Sequence, residues 1–511
     1  MTRNSVLLAA LLALAPGLPA QAQQIGQRPL SAIDWLDQIP AAPLPPPLPP
    51  EPPVAGSAGI PEIVMTPLGD ATTGAVGLLP PAVTGLPADM WAASDAGDLA
   101  ALWRSASSQP PAAIQALYHT LLLAEAEPPR GDADVYLRTR IAVLRRFGAV
   151  EPAFELLSRA GPLRPALFAD WFDLSMLNGA EAEACADLRA APGLLDDGAA
   201  QIYCTALTGD WRTAALLFET GRALDAWDAP RRDLLEQFLD PDMAETGGPP
   251  VPMNNPTPLD FRLFEAIGSP LPTRGLPAAF AMADLRGTVG WKAEIEAAER
   301  LARSGALAPG RLMGLYTRQR PAASGGVWDR AAAVQSLEAA VQGGAADDIT
   351  AALTDAWQRM RDEGLEIAFA QIFGAQLAAA DLDGAARALA YRIALLTPDY
   401  EAAAANPPPG NDALFLAGLA QGRPNAALVG TGDGRVIATA FAQPPRPAPD
   451  HALLIQQGKL GEAVLSAALQ FDRASGDPGE MAAALSTLRS VGLEDTARRA
   501  ALQALILDPA E

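Results

Sequence analysis

The sequence predicts an all-α protein built from stacked antiparallel helical hairpins, and three observations lead to that fold class. Apolar residues recur at helical spacing, glycines recur about every 30 residues between helical stretches, and the two cysteines lie symmetrically about a turn. Half of the 511 residues are apolar, which is enough to build a sizeable core. Because the three features are independent of one another, their agreement favours helical hairpins over other all-α arrangements.

The N-terminus has the pattern of a cleavable secretory signal. Arg3 precedes a short apolar run over residues 6–14, and an A-x-A cleavage site follows at residues 20–22. The run is too short to span a bilayer, and no later stretch reaches the roughly 18 uncharged apolar residues of a transmembrane helix. We therefore expect residues 1–22 to be removed and the mature protein to be periplasmic, without a transmembrane segment.

Residues 23–88 differ in composition from everything that follows them. The run 40–53 is mostly proline, which favours an extended polyproline II conformation. Such a Pro-rich, largely irregular arm cannot form a packed core by itself. The nearly uncharged stretch 60–86 is expected to lie extended along the folded body and to cover apolar surface there.

A short apolar-acidic motif at residues 31–39 interrupts this arm. Ile33, Trp35 and Leu36 follow the N-cap residue Ser31 and are the candidate partner-binding residues. One interpretation is a linear docking peptide that uses these apolar side chains as anchors. The other is a helical turn that packs on the protein's own body, and the sequence leaves both open.

From about residue 88 the apolar residues follow a helical period. Ile114, Leu117, Tyr118 and Leu121 occupy the i, i+3, i+4, i+7 positions of an amphipathic helix. The same spacing returns in later stretches, for example from Leu365 onwards. Breaks between these stretches fall at Gly or Pro, where helices are expected to end.

A recurring junction separates the helical stretches. A glycine ends one helix in the left-handed conformation, and an alanine four or five residues later lets the next helix approach closely. Where junctions follow one another, the glycines are 31, 30 and 34 residues apart, a period typical of two-helix repeats. The glycines concerned are Gly148, Gly179, Gly209, Gly364, Gly458 and Gly492.

The two cysteines, Cys185 and Cys204, are predicted to form a disulfide. They lie in neighbouring helical stretches, and the midpoint between them falls in the turn at residues 191–193. Residues equidistant from such a turn reach the same height in an antiparallel pair, so the two sulfurs could meet. The alternative is a pair of buried small apolar side chains.

With these junctions, the chain resembles the tetratricopeptide-like α-solenoid superfamily over residues 89–507, and most closely the degenerate helical-repeat proteins of the Gram-negative envelope. The resemblance implies a superhelical scaffold that binds proteins or peptides, and it carries over no catalytic residue. A Pro-rich interruption divides the body into an N-terminal repeat domain (89–240), a hinge (241–275) and a C-terminal repeat domain (276–511).

Charge and motifs narrow the function classes. A net charge of −22 disfavours binding to nucleic acid or to anionic lipid. His119 and His451 are the only histidines, and neither a G-x-S-x-G nor a P-loop motif occurs, so no catalytic, cofactor-binding or metal-ligating residue is predicted. We expect an exported scaffold or adaptor for protein or peptide partners of the envelope. The alternative is a wall-modifying enzyme or a ligand-binding protein with a site near the hinge.

Overall fold

A computed structural model describes residues 75–240, 250–251, 253–429, 432–474 and 476–507. Of these residues, 67% are helical, and consecutive helices pack pairwise as in stacked hairpins. No β-strand occurs in these ranges, only two isolated bridges. The predicted fold class is therefore confirmed.

The described residues contain 25 α-helices, of which ten precede the predicted hinge. These ten are α1 (Pro81–Thr84), α2 (Ala96–Arg104), α3 (Ala112–Leu123), α4 (Ala133–Arg146), α5 (Val150–Ala160), α6 (Pro165–Asn178), α7 (Glu181–Ala190), α8 (Gly198–Leu207), α9 (Trp211–Ala223) and α10 (Ala229–Leu239).

The remaining helices follow the hinge or belong to its last part. They are α11 (Pro258–Ala266), α12 (Ala281–Asp284), α13 (Trp291–Arg303), α14 (Pro309–Thr317), α15 (Val327–Gly343), α16 (Ala346–Arg361), α17 (Glu366–Ala379), α18 (Gly384–Ala394), α19 (Tyr400–Ala403), α20 (Asn411–Ala420), α21 (Asp433–Thr439), α22 (Pro449–Gln456), α23 (Leu460–Arg473), α24 (Pro478–Ser490) and α25 (Glu494–Leu507).

Capping residues in the sequence account for where the helices begin and end. Several begin after an aspartate whose carboxylate accepts hydrogen bonds from the first free backbone N–H groups, as Asp95 does for Gly97 and Asp98. The six junction glycines all have positive φ, between 65° at Gly364 and 90° at Gly492. A side chain at these positions would be strained, which explains why glycine ends the first helix of each pair.

The described end of the Pro-rich arm is held against α3 by backbone hydrogen bonds. The N–H groups of Leu78 and Leu79 both donate to the Leu123 carbonyl, at 2.8 and 3.0 Å. The guanidinium of Arg140 is buried and donates to the Val76 carbonyl at 2.7 Å. Gly77 lies directly against the backbone of residues 124–125, where a Cβ atom would collide. Residues 76–79 thus lie along the body, whereas residues 81–84 form α1 rather than an extended segment, and residues 60–74 lie outside the described residues.

The last helices of the chain pack on the first ones. Gly461 in α23 donates its N–H to the Met90 carbonyl at 2.9 Å, and the indole of Trp91 fills the space that a Cβ at Gly461 would need. Gln503 in α25 accepts from the Ala113 N–H at 2.7 Å, at the start of α3. The apolar core accordingly runs as one cluster from Leu86 to residue 506.

The middle of the chain also contacts the N-terminal helices. Ser304 at the end of α13 donates its hydroxyl to the Phe147 carbonyl at 2.6 Å. The buried Gln115 of α3 donates its amide to the Ser304 carbonyl. Helix α13 therefore lies beside α3 and the end of α4, which brings three distant parts of the sequence together.

Candidate functional site

A trough of about 930 Å³ lies along α17, α18 and α19. Small side chains line most of it, and we call it the alanine trough. The alanines concerned are Ala370, Ala375, Ala378, Ala379, Ala380, Ala390, Ala394, Ala402 and Ala403. Such a lining leaves room for another polypeptide to approach the helix backbones closely.

Polar groups occur at intervals along the alanine trough. Asp381, Arg387, Asp399 and Asn406 are exposed lining residues. Tyr391 is buried beneath them and donates its hydroxyl to the Ala413 carbonyl at 3.3 Å. The trough thus combines an apolar floor with hydrogen-bonding groups at its edges, which is the usual composition of a binding cleft.

The floor of the alanine trough depends on one glycine. A Cβ atom at Gly374 in α17 would collide with the methyl group of Thr397. Thr397 is buried after α18 and donates its hydroxyl to the Ala394 carbonyl at 2.7 Å. Gly374 therefore allows α17 to pack closely against the end of α18.

Two smaller cavities adjoin the trough through the shared lining residues Pro309 and Gln371. One, of about 400 Å³, lies between α14, α15 and α17. The other, of about 460 Å³, is lined by α3, the connection from α13 to α14, the start of α17, and α25. We call this second cavity the inner pocket.

His119 of α3 lines the inner pocket. Its Nε2 atom is buried and has no hydrogen-bond partner, and its ring lies 5.7 Å from that of Phe147. Burial lowers the pKa of the imidazole to about 4, because desolvation disfavours the charged form. The ring is therefore neutral at pH 7 and carries an unused polar atom.

Glu366, the first residue of α17, lines the same pocket and is half-buried. Burial raises the pKa of its carboxyl group, although its own backbone N–H and the charge of Arg361 act in the opposite direction. No described cation lies within ion-pair distance of this carboxylate.

Two arginines contribute to the inner pocket in different ways. Arg303 is already paired, since its Nη2 lies 2.9 Å from Oε2 of Glu363. Arg499 of α25 makes only a long contact, with Nη1 3.8 Å from Oδ2 of Asp495, and its buried Nε has no partner. Arg499 thus has unused hydrogen-bonding capacity at the pocket wall.

The structure contains the predicted disulfide. Cys185 in α7 and Cys204 in α8 are bonded, both are buried, and their Cα atoms lie 4.9 Å apart. The two helices flank a short 3-10 turn at Pro192–Leu194, where the sequence places the turn. The disulfide is far along the chain from both cavities and lines neither of them.

Three further sequence predictions concern the candidate docking motif, His451 and metal ligands. Ile33, Trp35 and Leu36 lie outside the described residues, so their partner-binding role stays a prediction. His451 is buried, with Nδ1 3.0 Å from the Thr487 hydroxyl, which is a structural contact. Over the ranges given above, no group of three His, Cys, Asp or Glu side chains could hold a metal ion.

Part of the predicted hinge also lies outside the described residues, namely 241–249 and 252. Ion pairs hold its described end. Arg262 of α11 contacts both Glu181 of α7 and Glu265, and Arg286 contacts Glu265 at 2.7 Å. These contacts tie α11 to the N-terminal helices. The division of the body into two repeat domains stays a prediction.

The sequence does not reveal the inner pocket. Its lining comes from four stretches of chain separated by up to several hundred residues, and no local motif marks them. Lone polar residues such as Glu366 become candidates only once packing shows which of them lack a partner.

No family model matches this chain, and neither the curated proteins nor the solved structures include a significant match to it. In the described part of the chain, no helix has the length and apolar character needed to cross a membrane. The chain is an all-helical protein of about 25 helices packed in successive pairs.

Proposed function

We propose that this protein is an exported scaffold that binds an extended segment of a cell-envelope protein or peptide in the alanine trough. The observation that carries the proposal is the lining of the trough by small side chains over three consecutive helices. Such a surface gives a partner backbone close contact, and the polar groups at the edges can accept or donate hydrogen bonds to it.

Two further features support an exported, periplasmic location. Residues 1–22 have the pattern of a secretory signal. The disulfide between Cys185 and Cys204 suits an oxidising compartment, because cytosolic thiols are normally kept reduced.

The experiment places a photocrosslinking amino acid at position 378, an exposed alanine of the trough. We expect adducts with a discrete partner in cells, and we expect Ala375→Trp to abolish them by filling the trough. Ala388→Trp is the matched control, since Ala388 is exposed on α18 and does not line the trough.

Adducts that persist unchanged in Ala375→Trp would contradict binding in the trough. The enzyme alternative is separated by incubating the purified protein with peptidoglycan and measuring soluble products. Turnover of that substrate would show that the protein is more than a scaffold.

A further inference from the structure

We propose that the inner pocket binds a small zwitterion of the amino-acid or dipeptide class. The ammonium group would lie against Glu366 and the carboxylate against Arg499. The inner pocket adjoins the alanine trough, but Glu366 and Arg499 do not line the trough, so the inference does not depend on the proposed scaffold function.

Glu366 lacks the ion pair that two more deeply buried glutamates make. Glu299 pairs with Arg330 at 2.6 Å, and Glu462 pairs with Lys459 at 3.2 Å. Buried carboxylates normally have such partners, because leaving a charge unpaired away from water is costly. Glu366 is half-buried at the pocket without an ion-pair partner, so a bound cation would complete its interactions.

Arg499 presents the opposite charge on another wall of the same pocket. Its Nε is buried without a partner, and its one ion pair, with Asp495, is long. A ligand acceptor would give the guanidinium the close partner that the described residues do not supply. A carboxylate is the acceptor that a guanidinium binds best.

The two charges together decide the class of ligand. A simple anion would be repelled by Glu366, and a simple cation would be repelled by Arg499. A zwitterion satisfies both groups, and the imidazole of His119, neutral at pH 7, lines the same pocket without adding a charge.

The size and walls of the pocket agree with this class. A volume of about 460 Å³ lies in the usual range for small-molecule sites and is ample for a dipeptide. Leu307, Ile367 and Leu507 supply apolar walls. Apolar walls lower the local dielectric constant, which strengthens the charge interactions with a bound ligand.

The test is calorimetric titration of the full-length mature protein with alanyl-alanine. Two blocked ligands serve as probes: the N-acetyl form, which lacks the ammonium group, and the C-terminal amide, which lacks the carboxylate. We expect saturable binding of alanyl-alanine and at least about tenfold weaker binding of each blocked form.

Two variants assign the groups. Glu366→Gln should abolish the preference for the free ammonium, and Arg499→Gln should abolish the preference for the free carboxylate. Glu155→Gln and Arg212→Gln are the matched controls at exposed positions outside the pocket, and we expect them to bind as the wild type does.

Absence of saturable alanyl-alanine binding would overturn the proposal, and so would equal binding of the blocked ligands. Both of these results come from the wild-type protein and hold even if a variant fails to fold. Binding that is unchanged in folded Glu366→Gln and Arg499→Gln would likewise exclude this pocket as the site.

Discussion

The alanine trough and the inner pocket adjoin each other but are built in different ways. The trough is formed mainly by α17, α18 and α19, which follow one another along the chain. The inner pocket needs α3, the end of α13, the start of α17, and α25. A surface made from consecutive helices therefore depends on local hairpins, whereas the pocket depends on packing between distant parts of the chain.

A substitution at Gly461 should test this dependence on distant packing most severely. Gly461→Leu places a side chain where the buried indole of Trp91 lies, so α23 must move away from the N-terminal segment. We expect a loss of about 3 kcal/mol in the free energy of unfolding, measured with denaturant. The inner pocket should lose ligand binding, because α23 and α25 pack together against α3, while binding in the trough should persist. Gly343→Ala is the control, since a Cβ there meets no neighbour; equal losses in both variants would contradict this reasoning.

Removal of the disulfide should cost a similar free energy of unfolding, at a position away from both cavities. Replacing Cys185 and Cys204 by serine removes a cross-link that spans 19 residues, which we expect to cost about 3 kcal/mol. Denaturant unfolding of the double variant and of the reduced wild type should agree. Crosslinking in the trough and dipeptide binding in the pocket should both survive under native conditions. Loss of either would show that the N-terminal hairpins control a cavity that they do not line.

We expect acid to destabilise the folded protein through the buried imidazole of His119. The pKa of His119 is about 4 in the folded protein and 6.5 when unperturbed. Below pH 6.5 the unfolded chain therefore takes up a proton that the folded protein does not, and stability falls until about pH 4. At about 1.4 kcal/mol for each pKa unit, the full loss, reached below pH 4, is roughly 3–4 kcal/mol.

The measurement compares the free energy of unfolding of wild type and His119→Gln at pH 7 and pH 4.5. We expect the wild type to lose about 2 kcal/mol more than the variant over this interval. A parallel loss in both proteins would mean that His119 does not remain neutral. His451→Gln serves as a second comparison at a histidine outside both cavities.

A substitution at Gly374 should alter the floor of the trough at a smaller cost in stability. Gly374→Ala forces α17 away from Thr397, and we expect a cost of about 1–2 kcal/mol. Partner crosslinking from position 378 should weaken, because the spacing between α17 and the end of α18 changes. Dipeptide binding in the inner pocket should remain, since Gly374 does not line it. The reverse pattern would show that the two cavities are coupled.

Much of the fold was predictable because it follows from local rules. Gly148, Gly179 and Gly209 mark helix junctions in the sequence, and each has positive φ in the structure. The pairing of Cys185 with Cys204 also followed from a local feature, their symmetry about one turn. Local signals of this kind act within about 20 residues and do not depend on the rest of the chain.

Gly461 illustrates where local rules end. The sequence places it just after a junction glycine, but its need for glycine comes from Trp91, 370 positions earlier. A single sequence contains no signal that pairs these two residues. The inner pocket has the same origin, since packing alone leaves Glu366 and Arg499 without close partners.

The helical class, the places where hairpins turn and the disulfide could all be inferred from the sequence, as could the lack of a recognisable catalytic motif. Backbone conformation and apolar period are properties of short stretches, so they can be inferred locally. Two features became visible only in the folded structure. The last helices pack on the first, and Glu366 and Arg499, which lack close charged partners, line one pocket. Those contacts depend on shape and desolvation between distant residues, and only the folded chain brings them together.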